Sequence, residues 1–273
     1  MTTLAFDGGT VPAIGFGTFE LDDAETERCV RIALDVGYRH IDTAQAYRNE
    51  EGVGRAIAAS DVDRDELFVT TKVWRGEAAR DDVHRSTRES LDRLQLDHVD
   101  LLLIHWPADE IAPMEETLEA LTEVREAGLT RHIGVSNYPS EMLARAYEVA
   151  PIVTDQVEHH PYLAVDAIRK VLAEHGGFLT AYSPIARGQL ADDPVLTEIG
   201  ERHDVTAVQV ALRWMIQRGD TVALPRSSNP DRIASNLEVT GFELSDDEVA
   251  RIEGLHEGRR LSDPPFAPTW DPA

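Results

Sequence analysis

Leu67-Phe68-Val69-Thr70-Thr71-Lys72 and Val99-Asp100-Leu101-Leu102-Leu103-Ile104-His105 decide how the rest of the chain is read. Each is a short, largely apolar run that stops on a titratable side chain. A third run, Tyr38-Arg39-His40-Ile41, stops on Asp42, with Tyr47 five residues beyond it. If these runs are parallel strands of a closed barrel, Asp42, Tyr47, Lys72 and His105 collect at the mouth formed by the strands' C-terminal ends. A phenol beside an ammonium, a carboxylate and an imidazole is an acid–base device suited to a carbonyl.

Outward from these runs, β-branched stretches alternate with longer amphipathic ones, the pattern of repeated βα units around a parallel sheet. Eight strands are expected: Ile14–Gly17, His40–Asp42, Leu67–Lys72, Val99–His105, His132–Ser136, Ile152–Glu158, Phe178–Tyr182 and Val222–Pro225. Helices are expected over Asp23–Val36, Asn49–Ala59, Asp81–Leu94, Met114–Ala127, Ser140–Glu148, Asp166–His175 and Val208–Arg218. The fold class is therefore α/β, a (β/α)8 barrel. Leu4–Val11 reads as a hairpin about Asp7-Gly8, which supplies the positive φ angles of such a turn, and should plug one end. The proline-rich tail from Arg259 to Ala273 should be irregular and fold near the mouth. No linker, repeat or low-complexity segment interrupts the series, so residues 1–273 read as a single domain.

With 273 residues, 42% of them hydrophobic, the chain can bury a large core. It has 26 basic and 50 acidic residues, a formal charge of −24, which opposes binding to nucleic acid or an anionic membrane. No stretch suggests a secretory leader or a membrane span, and the expectation is a cytoplasmic protein. Cys29 is the only cysteine, which excludes an intrachain disulfide and a cysteine-based zinc cluster. Lysine occurs only at Lys72 and Lys170, arginine supplying the other 24 basic residues. The scattered acids suit a solvated shell in a salt-rich cytoplasm, although a GC-rich genome would give the same arginine bias.

Taken singly, each of the four residues has a plain structural reading. Asp42 caps a helix, Tyr47 packs on one, Lys72 is a solvated strand end, and His105 is a satisfied core histidine. Their common position at the barrel mouth favours chemistry instead. A phenol titrates near 10 and exchanges protons sluggishly near neutrality, so the expectation is that the Lys72 ammonium lowers it. Asp42 would hold that buried lysine charged, and His105 would donate a hydrogen bond to the substrate oxygen.

Several segments resemble the signatures of the aldo-keto reductase family: Gly37-Tyr38-Arg39-His40-Ile41-Asp42-Thr43-Ala44, Tyr47-Arg48-Asn49-Glu50, Thr71-Lys72-Val73-Trp74, Val99 through Pro107, Ile133-Gly134-Val135-Ser136-Asn137-Tyr138 and Gln156-Val157-Glu158-His159-His160-Pro161-Tyr162. The resemblance spans essentially the whole chain. It implies a (β/α)8 TIM barrel, usually monomeric, that reduces an aldehyde or ketone with hydride from a nicotinamide cofactor. It implies Tyr47 as proton donor, Lys72 and Asp42 as its partners, and His105 as the orienting group. Ser136, Asn137 and Gln156 would hold the nicotinamide carboxamide and Tyr182 would stack on the ring.

No Gly-x-Gly-x-x-Gly joins a strand to a helix, and Gly15-Phe16-Gly17 reads as close packing. By resemblance, the far end of the cofactor lies along Leu224 to Asn236. Arg226 stands where the family commonly has lysine, Ser227 is a phosphate contact, Arg232 matches a later arginine, and Asn236 approaches the adenine. Asn229 departs from the pattern where relatives often carry another base. Two guanidiniums still suffice to clamp a 2′-phosphate, which favours NADP(H) with NAD(H) left open. Phe19, Trp74, Trp106 and Trp270, with the tail around Phe266, are candidates for the wall around a small carbonyl substrate. No metal is expected, because His159 and His160 on an extended strand point to opposite faces. The rival readings are a cofactor-binding regulatory subunit with little turnover and a barrel hydrolase or isomerase of similar architecture.

Overall fold

The computed structural model describes residues 2–272. A hairpin of β1 (Thr3–Phe6) and β2 (Gly9–Pro12) precedes eight parallel strands. These are β3 (Phe16–Gly17), β4 (His40–Asp42), β5 (Phe68–Val73), β6 (Val99–Ile104), β7 (Thr130–Ser136), β8 (Thr154–Glu158), β9 (Phe178–Tyr182) and β10 (Thr221–Leu224). Each pairs with the next in sequence. The ring closes through a parallel bridge between Ile14 and Ala223, where Gly15 N–H donates to Ala223 O and Ala223 N–H to Ala13 O, both at 2.9 Å. The eight expected strands are all present. The first is shorter than its apolar run suggests, and β7 starts two residues earlier because Thr130 pairs with Val99.

The connecting helices are α1 (Asp23–Asp35), α2 (Glu50–Ala58), α3 (Arg80–Leu94), α4 (Met114–Glu126), α5 (Ser140–Val149), α6 (Asp166–Glu174), α7 (Pro194–His203), α8 (Ala207–Gln217), α9 (Pro230–Leu237) and α10 (Asp246–Glu253). Helices α7 and α10 were not among the expected ones, yet both carry readable start signals. Asp193 caps the backbone N–H groups of Val195 and Leu196 ahead of Pro194, and Ser245 with Glu248 forms a capping box.

Side chains alternate across each strand, and the alternation sorts the core into two layers. Leu102 and Ile104 face outward into the layer shared with the helices. Leu101 and Leu103 face inward, joined by Phe68, Phe178, Val222 and Leu224 and closed off by Leu4 and Val11 of the hairpin. The hairpin thus plugs the lower end, as its sequence predicts. Gly15 has the packing role expected of it: a Cβ there would lie 2.6 Å from Leu224 Cδ2 and 2.7 Å from His40 Nδ1. Continuing each inward row towards the C-terminal ends gives His40 then Asp42, Thr70 then Lys72, Leu103 then His105, and Thr154 then Gln156. The barrel's own period delivers these polar groups to one opening.

The tail lies over that opening and is tied down by specific bonds. The buried Glu158 carboxylate accepts the backbone N–H groups of Leu261 and Ser262, each at 2.8 Å. Asp271 accepts Ser140 N–H at 2.9 Å and the Ser140 hydroxyl at 2.7 Å, holding the start of α5. Phe266 meets Trp74 and Trp106 edge-on, with ring centroids 5.8 and 5.5 Å apart. No helix among the described residues is long and apolar enough to cross a membrane.

Candidate active site

A cavity of about 1500 Å³ opens at the C-terminal ends of the strands. Asp42, Tyr47 and His105 line it, while Lys72 lies beneath them with no exposed surface. The Lys72 ammonium donates to Asp42 Oδ1 at 2.5 Å, to Thr43 O at 2.9 Å and to the Tyr47 hydroxyl at 3.3 Å. All three of its donor directions are therefore used, and one points at the phenol. Asp42 is held from its other side, where Gln156 Nε2 donates to Oδ2 at 2.8 Å. Tyr47 sits not on a strand but on a 3-10 turn, Gln45–Tyr47, that follows β4 and sends the phenol back over the mouth.

Burial shapes the protonation of the set. It pulls the Lys72 ammonium down, opposed by the charge and hydrogen bond of Asp42. It pushes the Tyr47 phenol well above its ordinary range, and the Asp42 charge adds to this. The sequence-based expectation of a phenol lowered by lysine is thus corrected: desolvation outweighs the single ammonium contact, and the phenol stays protonated. Burial, with the nearby Lys72 charge, also drives His105 well below the ordinary imidazole value, so the ring is neutral near pH 7. Its backbone carbonyl accepts Asn137 Nδ2 at 3.0 Å.

The cavity's floor is a connected network. The Ser136 hydroxyl donates to Gln156 O at 2.7 Å, Asn137 Nδ2 also donates to Ser136 Oγ at 3.0 Å, and the Tyr182 hydroxyl donates to Asn137 Oδ1 at 2.8 Å. Asn137 holds this place with a left-handed φ of 66°, which asparagine tolerates better than most residues. Gln156 keeps its side-chain oxygen and Asn137 a second lone pair, which leaves acceptors for an amide-bearing ligand.

Arg226, Ser227 and Arg232 line the opposite end. Arg226 spans the rim, its guanidinium donating to Phe19 O at 3.1 Å and Glu20 O at 2.7 Å. Asn229 caps α9, its Oδ1 accepting Arg232 N–H at 3.1 Å, which accounts for a non-basic residue there. Asn236 is buried in α9 and does not reach the cavity lining. Among the wall candidates, Phe19, Trp74 and Trp106 line the cavity. Trp270 stands behind them, 6.1 Å from Trp106 and under the Arg260 guanidinium.

Two contributors escaped the sequence reading. Arg187 lines the cavity from the loop after β9, where Ser183, Ala186 and Arg187 all adopt left-handed φ angles of 47–53°. Such non-glycine strain persists where the surrounding structure demands it, often around a bound group. Arg48, directly after Tyr47, also faces the cavity. Neither lies in an apolar run or at a strand end, so no periodicity marks them.

The volume, the paired amide acceptors and the guanidiniums at one end fit a dinucleotide laid across the mouth beside a small substrate. Comparison with known proteins agrees with this architecture. The family model described as "Aldo/keto reductase family" matches residues 13–257. An aldo-keto reductase of Mycolicibacterium smegmatis is 46% identical over 262 residues, covering 95% of this chain and 92% of the relative. The structure of a candidate 2,5-diketo-D-gluconic acid reductase B superposes with a TM-score of 0.95 at 42% identity, covering 99% of this chain and 98% of that one. A Bombyx mori aldo-keto reductase solved in complex with NADP gives a TM-score of 0.88 at 35% identity, covering 96% and 95%. With the barrel, the buried lysine–carboxylate pair under a phenol and these matches in agreement, the chain belongs to the aldo/keto reductase family.

Proposed function

We propose that this oxidoreductase reduces an aldehyde or ketone to an alcohol, with NADPH as hydride donor and Tyr47 as proton donor. The observation that carries the reading is the Lys72 ammonium shared between Asp42 and the Tyr47 hydroxyl at the cavity floor. The nicotinamide, when bound, supplies hydride to the carbonyl carbon. Tyr47 gives its proton to the carbonyl oxygen. A phenol with a raised pKa still performs this step, because an alkoxide is a stronger base than a phenolate. Lys72 stabilises the phenolate left behind until solvent returns the proton. His105, neutral and carrying one N–H, orients the carbonyl and stabilises charge developing on its oxygen. Trp74, Trp106 and Phe19 surround the reacting carbonyl with apolar surface and reduce competing water.

Ser136, Asn137 and Gln156 would hold the carboxamide, and Tyr182, fixed by its bond to Asn137, would stack on the ring. Arg232 is exposed on the first turn of α9 and free to reach a 2′-phosphate. Arg226 is already bonded to the Phe19 and Glu20 carbonyls and would serve better on the pyrophosphate. Arg232→Ala is therefore expected to weaken NADPH roughly 10-fold or more and to spare NADH, as one charge-assisted phosphate contact would. Calorimetric titration of each cofactor checks this; equal losses for both would remove Arg232 from 2′-phosphate recognition. NADPH oxidation with a panel of aldehydes tests the reaction itself. Tight NADPH binding without turnover on any of them would favour a regulatory subunit instead.

A further inference from the structure

Of the 19 arginines outside the cavity, 15 pair with a carboxylate, among them Arg55 with Asp23, Arg80 with Glu119, Arg145 with Glu115 and Arg169 with Asp220. The cavity reverses that habit. Of its five lining arginines, only Arg93 is paired, with Glu50 at 2.7 Å. Arg48, Arg187, Arg226 and Arg232 have no carboxylate partner among the described residues. The last two sit at the proposed cofactor's far end and Arg187 on the adjoining loop. Arg48 follows Tyr47 in the chain and lines the same cavity as Tyr47 and Trp74.

Most of the glutamates that line the cavity with Arg48 are committed to other bases. Glu50 belongs to Arg93, Glu51 faces Arg55 at 4.0 Å, and Glu77 and Glu89 are both taken by Arg85, the latter at 2.9 Å. These carboxylates line the same cavity, so acceptors are present and committed elsewhere. Arg48 also holds a left-handed backbone conformation, φ 57° and ψ 34°, which glycine or asparagine would adopt at lower cost. An exposed, unpaired guanidinium on a strained backbone position, one residue from the proposed proton donor, is poorly explained by packing.

We propose that Arg48 binds a carboxylate carried by the carbonyl substrate, so that the physiological substrate is an anionic aldehyde or ketone. The assignment rests on the carbonyl-reductase reading and names the substrate class of that site. The chain's overall negative charge would repel such a substrate at long range. A local cation at the mouth offsets this within a Debye length and offers a forked, two-bond grip.

The test compares 4-carboxybenzaldehyde with benzaldehyde, with NADPH and with NADH. In Arg48→Gln the ratio of kcat/KM for the acid over the neutral aldehyde should fall roughly 10- to 100-fold, the usual range for a hydrogen-bonded charge. Arg48→Lys should keep most of the ratio at low salt and lose it near about 1 M KCl, where screening is short-ranged. Arg48→Gly, which relaxes the backbone, should lose the ratio too, separating charge from misfolding. Calorimetric binding of the product 4-(hydroxymethyl)benzoate should weaken in step, a readout that needs no turnover. Unchanged ratios and unchanged product binding would overturn the Arg48 assignment alone. Failure of the parent enzyme to reduce either aldehyde would overturn the carbonyl-reductase reading, while product binding would still decide Arg48.

Discussion

Replacing Tyr47 by Phe should lower kcat by roughly two to four orders of magnitude, the usual contribution of a positioned general acid. The change removes one hydroxyl whose recorded partner is the Lys72 ammonium at 3.3 Å. The ring keeps its contacts with Phe19 and His105, at centroid distances of 5.1 and 5.5 Å, so the fold and the cavity wall should survive. Single-turnover reduction and a thermal melt, measured together, separate the two effects. The pH profile adds a signed expectation. Burial moves the imidazole below 6.5 and the phenol above 10.0, so neither group changes protonation between those values. Across that interval the chemical step should show no acid limb from His105 and no alkaline limb from Tyr47, and any alkaline loss of rate there would belong to Lys72, whose ammonium burial pulls down. Turnover of Tyr47→Phe within an order of magnitude of the parent would remove Tyr47 as the acid.

Lys72→Met should damage both chemistry and stability. It removes the cation from a carboxylate that is only 3% exposed and leaves Asp42 with Gln156 as its side-chain donor. Removing one member of a buried ion pair costs about 3–5 kcal/mol, because the other charge stays buried without its counterion. Urea unfolding should show this as a lower midpoint with an unchanged slope. Adding Asp42→Leu should recover much of the loss without restoring turnover, since the double variant lacks both the unpaired charge and the group that stabilises phenolate. Lys72→Arg should also fail in catalysis. A planar guanidinium cannot occupy the point from which one ammonium reaches Asp42, Thr43 and Tyr47 together. Wild-type stability in Lys72→Met would mean that the pair is not charged in the folded protein.

What could be read from the sequence was what depends on period and position. The inward rows that end on Asp42, Lys72, His105 and Gln156 follow from strand alternation once eight runs are counted, and the hairpin follows from Asp7-Gly8. The protonation state of Tyr47 did not follow, because a net shift needs the depth of burial as well as the identity of the neighbours. Nor did the Gln156–Asp42 bond, which joins residues 114 positions apart and exists only when the sheet closes. The capping role of Asn229 at the start of α9 did not follow either, because the family pattern draws attention only to its missing charge. Arg48 and Arg187 lie on tight turns whose left-handed angles no residue type announces. Of the two tail aromatics that the sequence marks as wall candidates, Phe266 meets both Trp74 and Trp106, whereas the aromatic contact of Trp270 is with Trp106.

The scarcity of lysine has a practical consequence for chemical labelling. Lys170 is exposed on α6, whereas Lys72 is enclosed beneath the cavity floor. A bulky amine-reactive reagent should therefore acylate Lys170 quickly in the native state and reach Lys72 only when the barrel opens. The delay between those two modifications, read by peptide mass, would clock native-state opening at the catalytic centre without any introduced reporter.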